Sequence, residues 1–155
     1  MISKFLTVLA AAVAVVLAAA SAATADPPTR TLVPPPPTFT GEFCPGVDVQ
    51  VTAVIANQYV LAFSNGSFIT TGRLVGQVTN LSTGKSVVVN ASGPGFQGPD
   101  GSFTARGLTL VFLTPGTIAP GSPATTYILS GVLSFAADGT VTQIGHVTDI
   151  CSQIT

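Results

Sequence analysis

The chain has 155 residues and a net charge of −1, with 7% charged residues against 46% hydrophobic ones. That length holds one ordinary domain. The charge balance lacks the basic stripe that a phosphate backbone or an anionic membrane surface requires, which excludes nucleic-acid binding and electrostatic membrane attachment.

Residues 1–25 read as a secretory signal peptide. Lys4 stands in a short n-region, an apolar run covers 5–20, and small residues end in Ala23-Thr24-Ala25, the pattern a signal peptidase cuts. The run is short for a span and no positive stop-transfer cluster follows it, so no stable membrane insertion is expected after cleavage. The remaining 130 residues carry Arg30, Arg73, Lys85 and Arg106 against six carboxylates, a net charge of −2. A secreted or cell-envelope location follows. In that oxidising setting Cys44 and Cys151 are expected to form a disulfide. Two cysteines and one histidine do not make a tetrahedral metal set, and neither a metal nor another cofactor is expected.

Residues 26–43 hold six of the chain's twelve prolines and read as a Pro-rich linker, with a polyproline II spacer over 34–37. An all-β domain is expected over 44–155. Val47, Val49, Val51, Ala53 and Ile55 alternate with polar residues as a half-buried strand does, and 59–64 reads as a second apolar strand. Asn65-Gly66 is a hairpin turn, 67–81 the long return strand, and 85–91 a strand pairing back after Ser82-Thr83-Gly84. Residues 92–101 form a Gly/Pro-rich loop, 102–106 and 108–113 two strands meeting at Gly107, and 114–123 a second loop. A hairpin closes the domain: 127–136, a turn through Ala137-Asp138-Gly139, and 140–150.

This makes about eight strands. Five glycines, Gly72, Gly76, Gly107, Gly131 and Gly145, lie within or beside strands, where they serve bulges, bends or close backbone approaches. Such curvature favours a single antiparallel β-barrel over the alternative, a two-sheet β-sandwich. An immunoglobulin-like sandwich would also carry a Trp beside an inter-sheet cysteine pair, and this chain has no Trp.

Signals for catalysis are sparse. His146 is the single histidine, and Asp149, three residues on in a strand, falls on the opposite face, so the two are no natural dyad. No Gly-x-Ser-x-Gly elbow occurs, and Asp100 and Asp138 each precede glycine as turn residues do. Arg73 interrupts a strand face carrying Ile69, Thr71, Val75 and Gln77; it is either a ligand-orienting charge inside a barrel or, the preferred reading, a solvated exterior charge. Phe96 stands alone as an aromatic in a small, polar loop, either a binding residue or a lid on the core. Asn65, Asn80 and Asn90 each begin an Asn-x-Ser triplet, and for the first two a turn already accounts for the asparagine.

The order of signal peptide, Pro-rich spacer, FCPGVDVQV, NLSTGKSVVVNASGPG, DGSFTARGLTL, YILSGVLSF, DGTV and a terminal Cys resembles the small exported proteins common in actinomycete bacteria. The resemblance implies secretion, an all-β fold and a disulfide, and carries no activity. A remoter analogy, to calycin-like and allene-oxide-cyclase-like barrels, rests on strand count and glycine placement. The leading functional expectation is a non-enzymatic exported domain that binds a small apolar or amphipathic molecule, or a cell-surface partner, at a barrel mouth bordered by loops 92–101 and 114–123. Phe96, Arg73 and His146 are the candidate binding residues. The alternatives are a cyclase- or isomerase-type barrel enzyme, with Arg73, His146 or a tyrosine in its pocket, and a structural envelope or adhesive component.

Overall fold

The computed structural model describes residues 26–117 and 119–155. The signal peptide expected over 1–25 lies outside the described residues. Nine antiparallel strands form one sheet: β1 Thr29–Leu32, β2 Phe39–Cys44, β3 Val47–Ala62, β4 Phe68–Asn80, β5 Ser86–Asn90, β6 Gly95–Gln97, β7 Phe103–Leu113, β8 Thr125–Phe135 and β9 Val141–Asp149. One helical turn, α1 Cys151–Ile154, ends the chain. The main path runs β1-β3-β4-β6-β7-β8-β9, with β2 also pairing β3 and β5 also pairing β4. Among the described residues no helix is long and apolar enough to cross a membrane.

Two pairs of expected strands are in fact single strands. The run at 47–55 and residues 59–62 of the second run belong to β3, where Val54 is a bulge between the pairs Ala53↔Gly76 and Ile55↔Val75. An extra residue shifts the inward face from odd to even numbers, so alternation breaks while the ladder continues. Val54 is 54% exposed. Likewise 102–106 and 108–113 are one strand, β7, passing through Gly107 at φ +78°. The Pro-rich stretch contributes strands as well: β1 and β2 lie end to end along one edge of β3, with Pro34–Pro37 between them. Proline is excluded from ladder interiors, but nothing prevents its neighbours from pairing on either side.

The main core lies where β2, β3, β4 and β5 meet α1. It packs Phe43, Val49, Val51, Val78, Val89, Ile150 and Ile154 around the disulfide Cys44–Cys151, whose Cα atoms are 5.5 Å apart. Each buried Val contributes about 1.5–3 kcal/mol relative to exposure. Leu110 and Ile128 of the β7–β8 pair cover this core from the far side, and Phe112 packs tilted against Phe39 and Phe43 at ring-centroid distances of 4.8 and 5.3 Å.

The sheet is strongly curved, but it does not close into the expected barrel. Among the described residues no ladder joins β9 to β1 or β2. In place of a ladder, the Phe39, Phe43 and Phe112 rings fill the space between β2 and the β7–β8 pair, the Thr126 hydroxyl donates to the Phe43 carbonyl at 2.7 Å, and the disulfide ties β2 to α1. Paired strands sit about 4.8 Å apart, too close to admit a layer of rings between them. The sheet therefore folds over on itself through side chains, and β9 is left as an edge.

The fold-over has a visible cause. Gly107 pairs with Gly131 and Gly131 with Gly145, a row of three glycines crossing β7, β8 and β9. A Cβ at Gly131 would fall on the Ile144 carbonyl and 2.7 Å from the Gly145 Cα; one at Gly145 would fall on the Ser130 carbonyl. Gly145 has φ +139°, a value that side-chain-bearing residues rarely adopt. The β8 and β9 backbones thus approach where no side chain fits, and Gly107 at φ +78° carries the line into β7.

Candidate functional site

The consequence of that bend is measurable in one hydrogen bond. The Tyr127 hydroxyl donates to Gln143 Oε1 at 2.7 Å. In the ladder, however, Tyr127 lies opposite Asp149 while Gln143 lies opposite Leu133, six residues away. On a flat sheet that offset is about 20 Å. The glycine row lies between the two positions, and only folding there brings the side chains together.

The folded corner forms a partly open cavity of about 440 Å³ on its inner face, with Phe135 and Val141 exposed at its rim. Val111 and Leu113 on one arm face Leu133, Phe135 and Val141 on the other, and Thr117 from the 114–123 loop borders it. The Tyr127–Gln143 pair is its polar group. Partial burial pushes the Tyr127 phenol above its usual pKa. With its oxygen accepting from Tyr127, Gln143 still has its amide N–H groups to offer a ligand. The lining carries no charged side chain.

A smaller space of about 240 Å³ lies between the two layers of the fold-over, lined by Pro36, Phe39, Leu74, Gly76, Leu110 and Phe112 among others. Gly76 leaves room in its floor: a Cβ there would stand 3.7 Å from Val89 and 3.9 Å from Leu110. This space has no polar group comparable with the Tyr127–Gln143 pair, since its polar members are threonines.

The three residues singled out from sequence are not brought together. Arg73 is exposed on β4, paired with Asn57. His146 is exposed on β9 opposite Ser130. Phe96 lies on β6 with the Arg106 guanidinium 5.4 Å from its ring centroid, a cation–π arrangement. None of them lines either cavity. The expected loop segment containing Phe96 is itself partly strand, because residues 95–97 pair with both β4 and β7.

Four carboxylates serve the backbone. Glu42 accepts from the Gly46 amide at 3.0 Å and Asp149 from the Cys151 amide at 2.9 Å. The Ser102 hydroxyl and amide hold the Asp100 carboxyl below its usual range, and the Thr140 amide does the same for Asp138. Among the described residues no group of three His, Cys, Asp or Glu side chains could hold a metal ion.

Tyr127, Gln143 and Leu133 did not stand out in the sequence. A signal for them existed: Gly131 and Gly145 are each seven residues from Asp138 at the turn, so the hairpin must set them opposite each other. Compared with protein families, curated proteins and solved structures, the chain matches none.

Proposed function

We propose that this protein is a non-enzymatic exported domain that binds a small neutral amphipathic molecule in the cavity between the arms of β7, β8 and β9. The observation that carries the reading is an apolar cavity of about 440 Å³ with a single polar pair, Tyr127–Gln143. Ligand sites combine these two things: mostly apolar walls of a few hundred Å³ and a small number of polar groups that orient the guest. The uncharged lining favours an alcohol, ester or amide over an ion, since a buried charge would find no partner there. The disulfide supports a working place outside a reducing cytoplasm. Enzymatic chemistry would rest on Tyr127 alone, because Arg73 and His146 stand outside the cavity.

Binding is tested with the neutral fluorophore N-phenyl-1-naphthylamine, displaced by medium-chain alcohols. Saturable binding is expected. Val111→Phe, which fills the cavity, lowers affinity at least tenfold, about 1.4 kcal/mol. Tyr127→Phe leaves the fluorophore bound but weakens the alcohols by several fold, the worth of one hydrogen bond. Equal binding by Val111→Phe and the parent, with both folded by circular dichroism, would place the ligand elsewhere.

A further inference from the structure

β9 is the outer strand of the sheet, and all nine of its residues are exposed. It includes Ile144 at 73% exposure, Val141 at 54% and Val147 at 43%. Its backbone edge is equally open. The Ala136 amide donates to the Thr140 carbonyl and the Ile150 amide to the Thr126 carbonyl, so the even-numbered positions of this strand bond β8. By the alternation of an antiparallel ladder, Val141, Gln143, Gly145, Val147 and Asp149 direct their amides and carbonyls outward. Natural edge strands are usually blunted by lysine, proline, shortness or a covering element. β9 has no lysine or proline, and its one full charge, Asp149, is at the end. The opposite margin of the sheet differs: β1 carries Arg30 and is followed by Pro34–Pro37.

The chemistry of such an edge calls for another β-strand, and the bend specifies which one. A strand paired to β9 must follow its bend at Gly145, where β9 runs so close to β8 that a Cβ would fall on the Ser130 carbonyl. β9 itself meets that requirement. A rotation of 180° about an axis normal to the sheet at Gly145 carries the fold line onto itself and keeps both copies bent toward the same face. We propose that two copies of this chain join edge to edge through β9, antiparallel, with Gly145 of each opposite Gly145 of the other on the two-fold axis.

In that register the outward-facing residues pair with one another, Gln143 with Val147 of the second copy, as hydrogen bonding between the edges requires. On the other face Ile144 lies beside His146 of the second copy and Thr142 beside Thr148, a favourable threonine pair, and no like charges meet. Because each copy offers one such edge, the assembly closes at two. Val147 of the second copy then extends the inner wall next to Gln143, so the cavity becomes part of a trough shared by both copies. The dimer does not depend on ligand binding, and its test needs no ligand.

Sedimentation of the purified, disulfide-intact protein over a concentration series is expected to show a monomer–dimer equilibrium. The doubly substituted Thr142→Cys/Thr148→Cys protein should form a covalent dimer under mild oxidation. Residues 142 and 148 stand on the convex face to either side of the bend at Gly145, so within one strand their side chains diverge and cannot reach each other. Across the two-fold they form a non-hydrogen-bonded pair with Cα atoms about 4.5 Å apart, within disulfide range. Ile144→Cys alone should not cross-link, since its counterpart is diagonal; it would do so if the strands met with Ile144 on the axis. Val147→Pro removes one outward amide and no bond to β8, and should yield a folded monomer. A monomer at every concentration with no cross-linking, a ladder of larger species, cross-linking by Ile144→Cys in place of the double variant, or a Val147→Pro dimer as tight as the parent would each overturn the proposal.

Discussion

Asn80 shows how much a single polar residue can hold in this fold. It is 2% exposed at the end of β4. Its Nδ2 donates to the Ile154 carbonyl at 3.0 Å, and its Oδ1 accepts from the Ser82 and Thr83 amides at 2.9 and 3.2 Å. One side chain therefore shapes the turn toward β5 and anchors the C-terminal helical turn. Asn80→Ala strands the Ile154 carbonyl and both turn amides, and is expected to lower stability by about 2–3 kcal/mol in urea unfolding. The Asn-x-Ser triplets thus have structural uses: the Asn65 and Asn90 side chains likewise accept from the amides of Ser67 and Ser92. That use was legible for Asn65 and Asn80 because turns were expected there. The part played by Ile154 was not, since it lies 74 residues away.

At the scale of elements, the glycine row governs the site. Gly131→Ala would drive a methyl group into the Ile144 carbonyl. A fixed backbone atom cannot move aside as a side chain can, so the β8–β9 ladder must part or the corner must open. The expected cost is about 3 kcal/mol or more, at the high end for one added methyl. Opening the corner would also separate Tyr127 from Gln143, so near-ultraviolet circular dichroism of the tyrosines should change even where the far-ultraviolet spectrum does not. The strands themselves were largely legible from alternation and from the turns at Asn65-Gly66 and Asp138-Gly139. The two errors of division, at 56–58 just past the Val54 bulge and at Gly107, have one origin: a bulge or a bend interrupts the two-residue period without interrupting the hydrogen bonding.

For the whole molecule, the disulfide does what a closing ladder would have done. It spans a sequence separation of 107 residues, for which the loop-entropy model gives roughly 4 to 5 kcal/mol. A domain of this size has about 5–15 kcal/mol in total. Reduction, or the Cys44→Ala/Cys151→Ala variant, is therefore expected to lower the urea midpoint sharply, and to release α1 and β2 before β7–β9. Hydrogen exchange would show that order as early loss of protection at residues 39–44 and 151–154. Simultaneous loss across all strands would instead mean that the two halves of the sheet unfold as one.

Sequence alone determined what depends on neighbours along the chain, the all-β class and most strand and turn positions, and it gave the disulfide because the chain has two cysteines and no other partner for either. Tertiary structure decided whether the sheet closed, which faces were buried and where a cavity could exist. Closure was open because aromatic side chains, not backbone ladders, fill the gap between β2 and the β7–β8 pair. The site was hidden because Tyr127 and Gln143 meet only when the sheet folds at the glycine row, a bend that the spacing of Gly131 and Gly145 about the turn permits but does not impose. A glycine in a sequence announces that a bend is permitted there; which residues the bend brings together is a property of the folded sheet.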